Sequence, residues 1–244
     1  MKAIILAAGK GTRMRGLTAE KPKPMLELSG KPMLEHILTA LRDSGISEFA
    51  LITGYCAEVV ETYFGNGSRL GIHVHYIRQS VQNGTGAAFH LARDFVSNDS
   101  FFAGFADIIV SVPNYARLLD DFLRRPAEAV VSLNWVADPY QGAAVFLDRE
   151  DNITRIIEKP PKGSSSSHWN SAGLFVFSPA LFAYTEALVP SARGEYEITD
   201  AIQAMVRNGL RVRGFKIEGF WSDVGKPEDI EPASKAISGE EDLS

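Results

Sequence analysis

The chain has 244 residues, 45% of them hydrophobic and 23% charged, which is enough to bury one large core. A net charge of −5 argues against a broad nucleic-acid surface, and Cys56, the only cysteine, leaves neither a disulfide framework nor a cysteine metal cluster. No signal peptide precedes the first strand and no apolar run approaches about 18 residues, so a reducing cytoplasm and no membrane span are expected.

The stretch Lys2 to Pro32 comes first and organises the rest. Ala3-Ile4-Ile5-Leu6 is a short apolar run flanked by small residues, which predicts a buried strand over 2–6. Ala7, Ala8, Gly9, Lys10, Gly11, Thr12 and Arg13 follow. Small side chains and two glycines let backbone approach a ligand closely, with N–H groups free to meet phosphate. Lys10, Arg13 and Lys23 add positive charge, so the loop reads as a polyphosphate site. It lacks the spacing of a Walker A loop, and Met14 replaces the third glycine of a dinucleotide fingerprint.

Helical spacing of Met33, Leu34, Ile37, Leu38 and Leu41 predicts a helix over 31–44, with Gly45 as its stop. A strand at 48–52, a helix at 57–64 and a strand at 72–77 come next. In the last, IHVHYI alternates, and a half-exposed strand explains His73 and His75 more simply than metal ligation. A helix over 84–95, a strand at 101–106 ending beside Asp107 and a helix at 115–123 complete the alternation. This pattern predicts an α/β fold, a doubly wound, Rossmann-like and mostly parallel sheet. Ligands then belong at the carboxyl ends of the strands, where the Gly-rich loop, Gln79 and Asp107 fall.

From Ala129 the texture becomes α+β. Strands are expected at 129–133, 143–147, 153–157 and 174–177, helices at 179–189 and 198–208, a strand at 210–217 and a helix at 227–237. Pro160 to Ser167, PPKGSSSS, reads as a flexible loop, and Glu240–Ser244 as an acidic frayed tail. Residues 1–128 and 129–238 are expected to form two halves of a single domain. No internal repeat is read, and no C-terminal β-helix array follows.

Gly9-Lys10-Gly11-Thr12-Arg13, Pro22-Lys23-Pro24-Met25, Gly84-Thr85-Gly86, Asp107, Glu158-Lys159-Pro160 and Trp221-Ser222-Asp223-Val224-Gly225 stand in order along nearly the whole chain. In these motifs the chain resembles the sugar-1-phosphate nucleotidylyltransferases. The resemblance implies the nucleotide-diphospho-sugar transferase fold, GT-A-like, with a nucleotide-binding half and a sugar-binding half. It implies that a nucleoside triphosphate, UTP or dTTP ahead of the others, is joined to a sugar 1-phosphate of glucose or N-acetylhexosamine type, releasing pyrophosphate. Guanylyl or cytidylyl transfer to mannose- or heptose-type sugars is the alternative. A non-catalytic nucleotide-sugar sensor is disfavoured because Lys23, Asp107, Lys159 and Asp223 are all present, and Met14 argues against a nicotinamide enzyme. Homo-oligomerisation is compatible with the family.

The resemblance also implies roles. Arg13 and the amides of Gly9, Gly11 and Thr12 would hold the triphosphate, Lys23 would sit near the α-phosphate, and Lys159 would hold the sugar phosphate. Asp107 and Asp223 would bind Mg²⁺, which takes hard oxygen ligands and completes its shell with phosphate and water. Leu6, Ala7, Ala8, Gln79, Gly84 and Thr85 would surround the nucleoside, with Gln82 a rival to Gln79 for reading the base. Gly142 of Tyr140-Gln141-Gly142, Glu158 and Ser171 would contact the sugar. Three departures stand out: Ala106 where the family usually has glycine, Asn170 one position earlier than an N-x-G motif, and the insertion Ser164–Ser167.

Overall fold

A computed structural model describes residues 1–239. Its elements, in chain order, begin with β1 (Lys2–Ala7), β2 (Glu27–Leu28), β3 (Lys31–Pro32), α1 (Met33–Asp43), β4 (Glu48–Thr53), α2 (Ala57–Phe64), β5 (His73–Arg78), α3 (Thr85–His90) and α4 (Arg93–Val96). They continue with β6 (Phe101–Phe105), β7 (Ile108–Val110), α5 (Pro113–Arg124), β8 (Ala129–Trp135), β9 (Ala143–Leu147) and β10 (Ile153–Glu158). The last are β11 (Trp169–Phe177), α6 (Leu181–Glu186), α7 (Ile198–Arg207), β12 (Val212–Lys216), β13 (Trp221–Asp223) and α8 (Ile230–Ser238).

One mixed sheet runs through both halves in the order β10-β9-β11-β6-β1-β4-β5, with β8 paired to β11 and β12. The block β6-β1-β4-β5 is parallel, as the strand–helix alternation predicts. Strand β11 joins the halves. It starts beside β9 at Trp169 and Asn170, changes register between Ser171 and Phe175, and ends beside β6. The sequence pattern placed only the end of it, 174–177, where the apolar run begins after Gly173. The register change is a bulge that lets one strand change neighbours.

Burial on both faces explains the continuous apolar run of β1. Ala3, Ile5 and Ala7 pack toward α1 and α5, whereas Ile4 packs toward α3 and α7. All five apolar positions predicted for α1 lie in the first of these cores. His73 and His75 are both exposed on β5, at one end of the strand order.

Other boundaries moved. The helix expected over 84–95 is broken by a turn at Leu91–Ala92, and the one expected over 179–189 shrinks to α6. The helix expected from Pro227 opens with a short 3₁₀ turn before α8. The two-stranded ribbon of β7 and β13 was missed, since three-residue strands leave too little pattern to read. The tail Glu240–Ser244 lies outside the described residues.

The halves also meet at Gly84, at φ 124° and ψ 163°, a region open essentially only to glycine. Tyr196 N–H donates to Asn83 O and Gly86 N–H to Tyr196 O, each at 2.8 Å, so the two backbones lie against each other. A Cβ on Gly84 would overlap the Tyr196 backbone. Gly84→Ala is therefore expected to lose roughly 2–5 kcal/mol of stability through backbone strain and overpacking. Urea unfolding measures it, with Gly16→Ala, whose Cβ would meet nothing within 4 Å, as the control.

Candidate active site

A cleft of about 1240 Å³ opens between the halves at the carboxyl ends of the parallel strands, with a smaller pocket of about 250 Å³ under the Gly-rich loop. Every residue to which the motifs gave a role lines one or both. Ala7, Gly11, Thr12 and Lys23 line the smaller pocket. Ala8, Gln79, Gly84, Thr85, Gly142, Glu158, Lys159, Ser171 and Asp223 line the larger. Leu6, Gly9, Arg13 and Asp107 face both. Lys10 does not join the cationic group: its ammonium lies 5.3 Å from the centre of the Tyr55 ring.

Where the two spaces meet, the ribbon sets the chemistry. Antiparallel pairing puts Asp223 opposite Ile108, one residue past Asp107, and Val224 N–H donates to Asp107 O at 2.9 Å. Two carboxylates some 116 positions apart in the chain are thus brought to one ammonium. Lys23 Nζ donates to Asp107 Oδ2 at 2.7 Å and to Asp223 Oδ1 at 3.2 Å, and its side chain is only 7% exposed. Burial by itself would lower the Lys23 pKa, but the two aspartates outweigh it and hold the group above its ordinary value. Burial, then repulsion from Asp107, pushes the Asp223 carboxyl up against the pull of Lys23 and Arg13. Arg13 Nη2 stands 3.8 Å from Asp223.

Local sequence accounts for the loop. Gly11 takes φ 66°, and a Cβ there would press on the Lys23 stem, so the glycine makes room for the lysine beneath it. Ala106 is a tolerated departure. It is buried, has no positive φ, and donates its N–H to Leu6 O at 3.0 Å, so alanine carries no strain there.

The two candidate glutamines differ. Gln82 Nε2 donates to Ala8 O at 2.8 Å, whereas the Gln79 side chain lines the cleft with no hydrogen-bond partner among the described residues. Of the two side-chain amides, that of Gln79 is the one without a protein partner among the described residues. The Thr85 hydroxyl accepts the Ile198 N–H at 3.1 Å, satisfying a free donor at the start of α7.

At the other end, Lys159 is exposed and held at φ 39°, left-handed and unfavourable for a lysine, with its N–H on Gly142 O at 2.7 Å. The Gly142 position admits no side chain because Asn170 Oδ1 fills the space. Asn170 spends its amide on Ala143 N–H, Asn134 and Ser171 O, which makes it a strand clamp. The loop over 160–167 is tied down: Gly163 N–H donates to Asp138 at 2.8 Å, and Lys162 lies over the Tyr140 ring at 5.4 Å.

Sequence reading missed Arg193. Its guanidinium meets Glu197 at 2.6 Å, Glu195 at 3.1 Å and Glu158 at 3.8 Å, all lining the same end of the cleft. Arg193-Gly194-Glu195 precedes a helix, but nothing in the spacing linked it to Glu158. Thr199 donates its hydroxyl to Glu158 Oε2 at 3.1 Å. Burial first, then repulsion from Glu197, raises the Glu158 pKa.

Buried Lys23, paired with half-buried Asp107 and Asp223 below a Gly-rich loop, faces exposed Lys159 across the cleft of an α/β protein. The chain matches the nucleotidyl transferase family over residues 2–240 and belongs to that family. The resemblance to sugar-1-phosphate nucleotidylyltransferases drawn from the motifs is borne out. The chain is 35% identical to the low-salt glycan biosynthesis nucleotidyltransferase Agl11 of Haloferax volcanii, over 100% of this chain and 68% of that protein. It is 34% identical to the UTP–glucose-1-phosphate uridylyltransferase AglF of the same organism, over 98% of each. A Bacillus anthracis structure solved with a sucrose superposes with TM-score 0.87 at 29% identity, covering 100% of this chain and 96% of that one. The chain spans about half, 53–54%, of the bifunctional GlmU relatives that it matches.

The raised Glu158 pKa has a consequence for stability. A carboxyl raised in the folded state disfavours folding once ionised. That penalty is absent below the ordinary carboxylate range and complete above the raised value. Glu158→Gln keeps an acceptor for Thr199 and is expected to exceed the wild type in stability at about pH 8, the difference closing by about pH 4. Thermal unfolding at both pH values checks this; a difference independent of pH would show that charge at 158 is not penalised.

Proposed function

We propose that the cleft joins UTP or dTTP to a sugar 1-phosphate of glucose or N-acetylhexosamine type. A sugar-phosphate oxygen forms a bond to the α-phosphorus as the bond to the bridging oxygen breaks, and pyrophosphate leaves. The observation that carries this reading is the placement of Lys23 between Asp107 and Asp223 at one end of a cleft whose other end presents Lys159. The reaction needs two anions held in line and their growing charge neutralised, with little covalent help from the protein.

In this reading the amides of Gly9–Thr12 and Arg13 take the β- and γ-phosphates, and Lys23 stabilises charge at the α-phosphate. Leu6, Ala7, Ala8, Gln79, Gly84 and Thr85 enclose the nucleoside. Gly142, Glu158 and Ser171 orient the sugar, and Lys159 holds its phosphate. Asp107 and Asp223 suit Mg²⁺: they are two hard oxygen donors, and Asp223 already bears a cost from Asp107 that a cation would offset. The ion, when bound, would neutralise phosphate charge. AglF carries UTP and glucose 1-phosphate in its name, which supports the choice of substrates. A pyrophosphate-release assay over a grid of nucleotides and sugar phosphates tests the reading; no release from any pair would overturn it.

Asp223→Asn is expected to stay folded by circular dichroism and to lose about two powers of ten in turnover at any Mg²⁺ concentration. Near-normal turnover would remove Asp223 from the metal site.

The two lysines are expected to fail differently. Lys159→Ala should chiefly raise KM for the sugar phosphate, because it removes a charge-assisted bond present in ground and transition states alike. Lys23→Ala should chiefly lower kcat, because charge builds at the α-phosphate only as the reaction proceeds. Either contact is worth roughly 1.5–3 kcal/mol, about one to two powers of ten. Steady-state kinetics with each substrate varied in turn reads the difference, and identical defects would mean that the cleft is not divided in this way.

A further inference from the structure

Tyr55 lines neither the cleft nor the smaller pocket, and no motif pointed to it. It lies two residues past the end of β4, beside the Gly-rich loop. Its backbone N–H donates to Ala8 O at 3.2 Å, the same carbonyl that accepts from Gln82 Nε2. Its hydroxyl reaches Ala19 O at 2.8 Å and Thr18 O at 3.1 Å. Its ring lies under the Lys10 ammonium. Ala8 is where the loop begins and Thr18–Ala19 is where it ends, so one residue grips both ends and touches the segment between them.

The loop needs such a grip. Its bonds are local: Thr12–Thr18 is 3₁₀ helix interrupted at Arg15, with Met14 N–H on Gly11 O at 2.9 Å, Ala19 N–H on Gly16 O at 3.3 Å and the Thr18 hydroxyl on Gly11 O at 3.2 Å, so none of these ties the loop to another element. Arg15 sits at φ 54° and ψ −133°, an unfavourable conformation for any residue with a side chain. Free carbonyls in a phosphate loop are a hazard, because one turned toward the anion would repel it. Tyr55 engages the carbonyls at both ends, and the amides between them remain to donate.

We propose that Tyr55 is a positioning residue for the polyphosphate: it braces the loop over 8–19 and fixes its width, so that the 9–12 amides and Arg13 are arrayed for a triphosphate or pyrophosphate. This rests on the nucleotide reading of the loop given above. Preorganisation of this kind shows as affinity, since the cost of ordering the loop is met before the ligand arrives.

The test compares wild type with Tyr55→Phe, which keeps the ring under Lys10 and loses only the hydroxyl. Calorimetric titration with magnesium pyrophosphate is expected to show Kd raised about three- to tenfold, the effect of one lost hydrogen bond. Steady-state kinetics should show KM for the nucleotide raised in parallel and KM for the sugar phosphate unchanged. An unchanged pyrophosphate Kd, no pyrophosphate binding by the wild type, an equal rise in both KM values, or a lowered melting temperature with unaltered constants would each overturn the proposal. A raised Kd in the variant, with no nucleotide-sugar formed by the wild type, would sink the assigned reaction and leave the brace standing.

Discussion

The site depends on a repulsion that the fold holds in place. Asp107 and Asp223 stand side by side because β7 and β13 pair across the chain, and the pairing is tolerable because Lys23 lies between them. Lys23 is the buried member of the group, while both carboxylates remain partly open to the cleft. The Lys23 stem in turn passes beneath Gly11, so the Gly-rich loop, the lysine and the carboxylates form one packed object. Charge that is costly to the fold is the charge that anionic substrates require.

The second constraint is that the cleft is assembled from both halves. Strand β11 crosses from one to the other through its bulge, and the Gly84–Tyr196 backbone contact and the Thr85 bond to Ile198 fasten the opposite wall. Each of these ties uses a residue that faces the cleft. The walls are therefore set by the same hydrogen bonds that hold the halves together, and small changes at the seam reach the site.

The end of the cleft around Glu158 and Lys159 is balanced differently. Glu158, Glu195 and Glu197 surround Arg193, while Lys159 stays exposed in a strained backbone conformation. Burial and repulsion from Glu197 outweigh the Thr199 hydroxyl, Lys159 and Arg193, which leaves the Glu158 pKa raised. A wall of hydrogen-bond acceptors beside exposed Lys159 fits the sugar phosphate proposed for this end of the cleft.

The amino-acid sequence by itself determined the parallel half of the sheet, most helices and the membership of the cleft. Strand and helix periodicity are local properties, and the motifs are short and contiguous. Every residue to which the motifs gave a role lines the cleft or the smaller pocket. Lys10, read with the cationic loop, lines neither, because the direction of its side chain depends on where Tyr55 lies, 45 positions away. Tertiary structure alone decided the β7–β13 ribbon, the bulge of β11, the place of Arg193 and the choice of Gln79 over Gln82 as the free amide. Each rests on pairing between segments far apart in the chain, where two or three residues make the contact and leave no period to read. Local pattern records what a residue prefers; only the folded chain records which distant backbone it meets.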